Sequence, residues 1–268
     1  MNKIGIIDIG TNTIRAVGYT ADDIKQICET VYESNILKHT KDGVLSFVGI
    51  NELSLVIKKE ITFFNENDIS RIYAFATSAM RDVKNFDEVV KYCGIEIELL
   101  SEEDEAKCDF YALTNELLEK TSGIGVDLGG GSCQIIVFEN DDIKYFSSFP
   151  IGVKRLYNKF GKYKSTIFEY IEDKIKDVPK IKSEYLYVMG GTGKTIAKML
   201  GNEFLPEALD NEKPPFNNEV CYAGLREMSK NTVPYGVDVI SVIAKKFSAE
   251  KIKVMNCGSR EGYVVKKR

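Results

Sequence analysis

Asp8 and Asp127 each stand two residues ahead of a glycine and five ahead of a hydroxyl, in "DIGTNTIR" and "DLGGGSCQ". Glycine allows close backbone approach, and successive unblocked N–H groups form a concavity suited to an anion. Gly10, Thr11, Asn12 and Thr13 in one turn, and Gly129, Gly130, Gly131 and Ser132 in the other, could therefore cradle phosphate oxygens; a β-hairpin with a glycine-rich turn is the alternative reading. A third stretch, "GGTGKT" at 190–195, follows an apolar strand and opens a helix, so the N–H groups of Gly190, Gly191 and Thr192 can meet an anion. It ends like a Walker A loop, but Val188 stands where that motif needs its first glycine, and Lys194 reads as a neighbour of the site. In "SEEDEA", Ser101 followed by Asp104 makes a capping-box pattern that places Glu105 in the first turn of a helix, where the dipole favours a carboxylate; ordinary dipole-complementing acids give the same pattern.

Composition bounds what these residues can belong to. Hydrophobic content of 44% and charged content of 28% suit a globular protein, and a net charge of −4 argues against nucleic acid as a partner. No charged-apolar-small leader opens the chain and no apolar run approaches a membrane span, so a cytoplasmic location is expected. The six cysteines form no C-x-x-C pair and read as reduced, buried small residues. His39 is the only histidine, which excludes a Ser-His-Asp triad, a multi-histidine metal site and a histidine-aspartate phosphohydrolase domain within this chain; it reads as structural or solvent-facing.

The elements that must position these turns occur twice. Setting Asp8 on Asp127 puts Gly10 on Gly129, Asn12 on Gly131, Thr13 on Ser132 and Arg15 on Gln134, 119 residues apart, and each segment has an apolar strand, a polar turn and a second strand. Strands are expected at 71–79, 95–100, 184–191 and 251–258, with strand-like runs through 126–150. Helical patterns lie at 51–67, with Leu53, Val56, Ile57, Ile61 and Phe64 on one face, and at 84–92, 102–120, 151–160, 165–177, 193–200 and 236–248. The proline-bearing segment 202–217 reads as a surface loop. The fold expected is α/β: two duplicated domains, 1–121 and 122–268 with the boundary at 120–123, each a mixed sheet flanked by helices. Such domains place their first turns across an interdomain cleft, with Asp8 and Asp127 facing a metal; hard oxygen ligands suit Mg²⁺.

Seven segments in order, "DIGTNTIR", "ATSAMRDVKN", "SEEDEAKCDFYAL", "DLGGGS", "FPIGVKRLYNKF", "MGGTGKTIAKML" and "CGSREG", resemble the exopolyphosphatase and guanosine pentaphosphate phosphohydrolase family of the actin, heat-shock-ATPase and sugar-kinase superfamily. The resemblance implies actin-like (ribonuclease H-like) domains, two phosphate loops flanking a metal-bound phosphoanhydride, a phosphate-contacting Arg81 and a catalytic Glu105. An ionised Glu105 could orient a water and take its proton, and Arg81, after a strand and a Thr-Ser turn, could fork onto phosphate oxygens or make a surface ion pair. The first-loop serines of the family are here Thr11 and Thr13, the acid before Glu105 is Asp104, and "NTVPYGVDV" departs from the family's usual Glu-Arg-Ala-Asp run. The implied activity is Mg²⁺-dependent release of terminal phosphate from polyphosphate or guanosine pentaphosphate. A nucleotide- or alarmone-binding regulator and a small-molecule kinase are the other readings, and a homodimer is possible. Residues 154–182 carry nine basic residues against four acids, which suits either a polyanion track or a solvated face. Longer members continue into helical C-terminal domains, so short polyphosphates are expected here.

Overall fold

Strands and helices alternate along the chain as the hydrophobic pattern predicts. A computed structural model describes residues 2–11, 13–117, 121–140, 142–161, 166–179, 181–213, 215–225 and 227–268. In chain order the elements are β1 (Lys3–Ile9), β2 (Thr13–Thr20), β3 (Gln26–Glu33), α1 (Ile36–His39), the short strands β4 (Thr40–Lys41) and β5 (Val44–Leu45), α2 (Phe47–Glu66), β6 (Arg71–Ala76), α3 (Ser78–Arg81), α4 (Phe86–Cys93), β7 (Ile97–Leu99) and α5 (Glu102–Glu116). They continue with β8 (Gly123–Leu128), β9 (Cys133–Glu139), β10 (Asp142–Phe149), α6 (Val153–Phe160), α7 (Ile167–Lys174), β11 (Tyr185–Met189), α8 (Gly190–Leu200), β12 (Glu203–Phe204), α9 (Glu227–Phe247), β13 (Lys251–Val254) and α10 (Ser259–Lys267). The chain forms two compact units, residues 1–108 with 260–268 and residues 109–259, so the division falls inside α5 and at the start of α10. Lys120, where the boundary expected at 120–123 begins, lies outside the described residues.

The first unit is built on a five-stranded sheet ordered β3-β2-β1-β6-β7, in which the hairpin strands are antiparallel and β1, β6 and β7 are parallel. Its central strand shows why the chain folds this way: "KIGIIDI" is apolar on both faces, as a strand covered on both sides must be. Ile7 and Ile9 join Leu53, Ile57 and Phe64 of α2 in one core, while Ile4 and Ile6 join Cys108, Tyr263 and Val264 in another. Helix α2 starts at Ser46, whose Oγ accepts the Gly49 N–H at 3.3 Å. Val56 and Ile61 flank its buried stripe, and Glu60 lies within it, fully buried.

The second unit repeats the plan. Its six-stranded sheet is ordered β10-β9-β8-β11-β13-β12, again a hairpin pair followed by parallel strands, with antiparallel β12 on the edge. The duplication read from sequence is reproduced in register: Asp8 faces Arg15 across β1 and β2, and Asp127 faces Gln134 across β8 and β9. The core combines Ile124, Val126, Leu186, Val188 and Ile252 of the sheet with Val239, Ile240, Ile243 and Phe247 of α9.

Several elements differ from the pattern-based expectation, among them the strand expected at 251–258, which stops at Val254, and the four described next. The strand expected to run to 79 stops at Ala76, and the next turn of chain is α3. Helix α8 begins at Gly190 rather than 193, because a first turn needs no preceding intrahelical bond and so tolerates glycine. Helix α9 starts at Glu227 and carries Pro234 inside it, with the Pro234 carbonyl accepting from Asn211 Nδ2 at 2.8 Å. The segment 202–217 is anchored rather than loose: Phe204 pairs in the sheet, and Leu209 and Phe216 are buried in the core.

Candidate functional site

In the first unit Asp8 sits one residue before the end of β1. The turn after it is closed by Gly10 N–H donating to the Thr13 carbonyl at 3.0 Å, and a Cβ at Gly10 would lie 3.1 Å from that same oxygen. Gly10 is needed for close approach, not for a left-handed backbone. Thr11 lies in the turn and Thr13 opens β2; Asn12 lies outside the described residues. Asp8 Oδ2 accepts from Arg260 Nη1 at 2.8 Å. Burial works to lower the pKa of Arg260, but the carboxylates of Asp8 and Glu261 raise it overall, so this is a permanent cation. Its neighbour Glu261 accepts from Tyr19 Oη at 2.5 Å. Arg15 pairs with Glu29 across the hairpin, which is a structural role.

Glu105 and Arg81 are brought together. Ser101 Oγ accepts the Asp104 N–H at 3.0 Å and donates to Asp104 Oδ2 at 2.7 Å, so the N-cap forms, with the acid folding back on the hydroxyl instead of on the cap N–H. The first helical bond of α5 runs from Glu105 N–H to the Ser101 carbonyl at 2.9 Å. The Glu105 side chain, 7% exposed as a residue, accepts from Arg81 Nη2 at 2.6 Å. Arg81 ends α3, and its Nη1 is buried with no hydrogen-bond partner among the described residues. A buried donor left open beside a carboxylate is costly unless an anion satisfies it.

In the second unit the same turn is built with more support. Gly129 N–H donates to the Ser132 carbonyl at 3.0 Å, matching Gly10 and Thr13. The Gly129 carbonyl accepts from Val153 N–H at 3.0 Å, the Gly130 carbonyl from Lys154 and Arg155 N–H at 2.9 and 3.0 Å, and the Gly131 carbonyl from Arg155 Nε at 2.9 Å. A trans peptide points its N–H opposite its C=O. With three carbonyls turned to the start of α6, the N–H groups of Gly130, Gly131 and Ser132 therefore face away from it, as a phosphate cradle requires. Gly152 makes the approach possible: a Cβ there would lie 2.4 Å from Gly131 C and Ser132 N. Gln134, at the position equivalent to Arg15, is buried and donates to Ser132 Oγ at 3.0 Å.

Asp127, at the end of β8, lies against the start of α8. Gly190 has φ +88°, and a Cβ there would lie 2.4 Å from Asp127 Oδ1, so both conformation and space demand glycine. Gly190, Gly191 and Thr192 form the first turn of α8, the positive end of its dipole. Lys194 Nζ donates to the Asn256 carbonyl at 3.4 Å. Ser259 Oγ lies 2.6 Å from Oδ1 of the fully buried Asp109 and 3.4 Å from Asp127 Oδ2. Of the basic stretch, Lys174 and Lys176 meet Asp173, Lys182 meets Glu250 and Arg155 is turned into the glycine turn; Lys162, Lys164 and Lys180 lie outside the described residues.

Sequence reading assigned no role to Arg260, Ser259, Asp109, Arg155, Gly152 or Gln134. "CGSREG", "FPIGVKRLYNKF" and "SEEDEAKCDFYAL" contain five of them, and the duplication that sets Arg15 on Gln134 marks the sixth. His39 pairs with Glu52 at 3.2 Å, and all six cysteines are free thiols. Among the described residues no group of three or more His, Cys, Asp or Glu could hold a metal, and no helix is long and apolar enough to cross a membrane.

Two α/β units, each opening on a hairpin with an Asp-x-Gly turn and continuing into parallel strands, have the actin-like fold expected from the sequence. A profile of the Ppx/GppA phosphatase family matches residues 35–268, and the chain belongs to that family. Exopolyphosphatase 1 of Mycobacterium bovis is 25% identical over 163 residues, 58% of this chain and 47% of that protein, and the Mycobacterium leprae protein of the same name is 24% identical over 173 residues. The chain thus spans about half the length of these curated relatives. The same fold is seen in the crystal structure of the Aquifex aeolicus Ppx/GppA phosphatase, type II variant, with TM-score 0.82, 22% identity and 99% of both chains covered. It is seen also in an exopolyphosphatase from Cytophaga hutchinsonii, with TM-score 0.81, 21% identity and 99% and 97% covered.

Proposed function

We propose that this protein is a cytoplasmic phosphohydrolase that releases terminal phosphate from inorganic polyphosphate, short chains favoured, or from guanosine pentaphosphate. The observation that carries the reading is the Arg81–Glu105 pair, in which one guanidinium nitrogen grips the carboxylate while Nη1 is a buried donor with no partner among the described residues. Glu105 orients a water and accepts its proton as attack proceeds, and Arg81 Nη1 takes a phosphoryl oxygen whose charge grows in the transition state. The N–H groups of Gly130, Gly131 and Ser132, with the first turn of α8, bind substrate phosphates. Asp8 in one unit and Asp127 in the other are each a partly buried hard oxygen donor of the kind Mg²⁺ takes singly, with water and substrate phosphates completing its shell. Bound Mg²⁺ supplies neutralisation of the phosphate charge. The short-chain preference is supported by the internal pairing of Lys174, Lys176 and Lys182.

The exopolyphosphatase names of the mycobacterial and Cytophaga proteins agree with the reading. Its test is phosphate release from short and long polyphosphate and from guanosine pentaphosphate, with a parallel assay for ADP in which ATP and a sugar or acetate acceptor are supplied. Free phosphate without ADP supports it. Binding without turnover, or ADP formed with phosphate transferred to an acceptor, would refute it in favour of a regulator or a kinase.

A further inference from the structure

Asn85 stands at the N-cap position of α4, where an asparagine side chain ordinarily accepts a backbone N–H of the first helical turn. Among the described residues it makes no such bond. The side chain turns instead to a strand 40 residues away: Oδ1 accepts the Leu45 N–H at 2.9 Å, and Nδ2 donates to the Leu45 carbonyl at 3.0 Å. The amide thus pairs with β5 as a neighbouring strand would, and Nδ2 also donates to Glu88 Oε2 at 3.1 Å. The tip of the β4–β5 hairpin adds a third tie, from Lys84 N–H to the Gly43 carbonyl at 2.7 Å. Gly43 has φ +77°, and a Cβ there would lie 3.1 Å from the Asp82 carbonyl oxygen. These contacts grip the residues that directly follow Arg81. Arg81 itself closes α3, a helix of four residues, too short to hold its shape without outside support.

We propose that Asn85 is a positioning residue for Arg81: by tying the chain after α3 to the β4–β5 hairpin, it fixes the root of the Arg81 side chain, so that Nη1 is held for a phosphoryl oxygen while Nη2 grips Glu105. The inference rests on the reading of Arg81 as a phosphate-contacting residue. Helix capping alone does not account for Asn85, because a capping side chain would point to α4 and leave Leu45. Serine separates the two roles. It caps a helix about as well as asparagine does, but it is too short to bond both backbone groups of Leu45.

The probe is the imido analogue of tripolyphosphate, bound without being cut, and its affinity for the full chain is read by titration calorimetry. Arg81→Ala should raise the dissociation constant about 10- to 150-fold, the scale of one hydrogen bond to a charged group. Asn85→Ser should raise it about tenfold, through misplacement of a guanidinium that is still present. Added to Arg81→Ala, it should change the constant by less than about twofold, because the group it positions is gone. Asn85→Asp, which caps equally well and loses the donor to the Leu45 carbonyl, replaces the serine variant if circular dichroism shows that serine prevents folding. Unchanged binding in Asn85→Ser means that the residue serves as a cap and overturns the proposal, as does an equal loss with and without Arg81. Arg81→Ala separates the two ideas. If it weakens binding while Asn85→Ser does not, the role of Asn85 alone falls; if it too leaves binding unchanged, the reading of Arg81 falls and the proposal with it.

Discussion

Gly152→Ala tests whether the glycine turn at 129–132 is held in place by α6. The added Cβ would lie 2.4 Å from Gly131 C and Ser132 N and 2.5 Å from Gly130 C. All three are backbone atoms, so no rotamer change relieves the overlap. Ordinary carbon contacts lie at about 3.5–4.0 Å, so the turn and the start of α6 must separate by about 1 Å. That movement stretches the four hydrogen bonds from Val153, Lys154 and Arg155 to the turn carbonyls, now 2.9–3.0 Å long. At about 0.5–1.5 kcal/mol net per bond, weakening two of them costs about 1–3 kcal/mol. Overpacking adds about 1–3 kcal/mol, giving about 2–6 kcal/mol in all. A phosphate cradle displaced by about 1 Å should lose on the order of 10²-fold in kcat/KM. Urea unfolding measures the first quantity and phosphate release the second. Gly191→Ala is the comparison for stability, because a Cβ there meets nothing within 4 Å and alanine is the better helix former. If Gly152→Ala unfolds within about 0.5 kcal/mol of the parent and turns over normally, the turn is not held as described.

Glu105→Gln keeps size and polarity but removes the proton acceptor, so kcat should fall roughly 10²–10⁴-fold with KM little changed; a normal kcat would refute the assignment. Glu60 should make stability fall with pH. Burial raises its pKa despite a hydrogen bond from Thr30, so its contribution is fully present below the unfolded value of about 4.3 and is lost as pH rises through the folded value. Glu60→Gln should flatten that limb of the denaturation profile, and an unaltered slope would count against it. Glu98 acts in the opposite sense: burial pushes its pKa up, but Lys266, Tyr263 and Lys267 overcome this and hold it at about 2. Its contribution is present above about 4.3 and is lost as pH falls toward 2, so Glu98→Gln should lessen the acid sensitivity of unfolding, measured between pH 5 and pH 2.

What was legible in the sequence is what local chemistry fixes. The turn at Asp8 and the turn at Asp127 could be matched because strand register and turn closure depend on residues within a few positions, and Gly10 and Gly129 close their turns through the same bond. Glu105 was placed in a first helical turn because its cap, Ser101, lies four residues away. Its pairing with Arg81 spans 24 residues and was not read from the sequence; the family resemblance implied a role for each residue but not their contact. Where helix propensity and tertiary need diverge, the pattern misled: it ran the strand to Gly191 and the helix from 193, yet the space against Asp127 and a φ of +88° at Gly190 make glycine the residue that lets α8 start there.

Arg260, Ser259 and Asp109 had no such local signal, and the reason is arithmetic of the fold. Arg260 meets Asp8 across 252 positions and Ser259 meets Asp109 across 150, so no period or cap could link them. Yet both sites announce themselves as conflicts between a residue and its place. A carboxylate at 109 stands among buried Cys108, Phe110, Ala112 and Leu113, and a carboxylate at 60 stands in the stripe of Leu53, Ile57 and Phe64. The two conflicts differ in what resolves them. Glu60 accepts from the Thr30 hydroxyl, which leaves a cost that pH can expose, whereas Asp109 accepts from the Ser259 hydroxyl, which also lies near Asp127. Both resolutions become visible only when the distant residues are folded together.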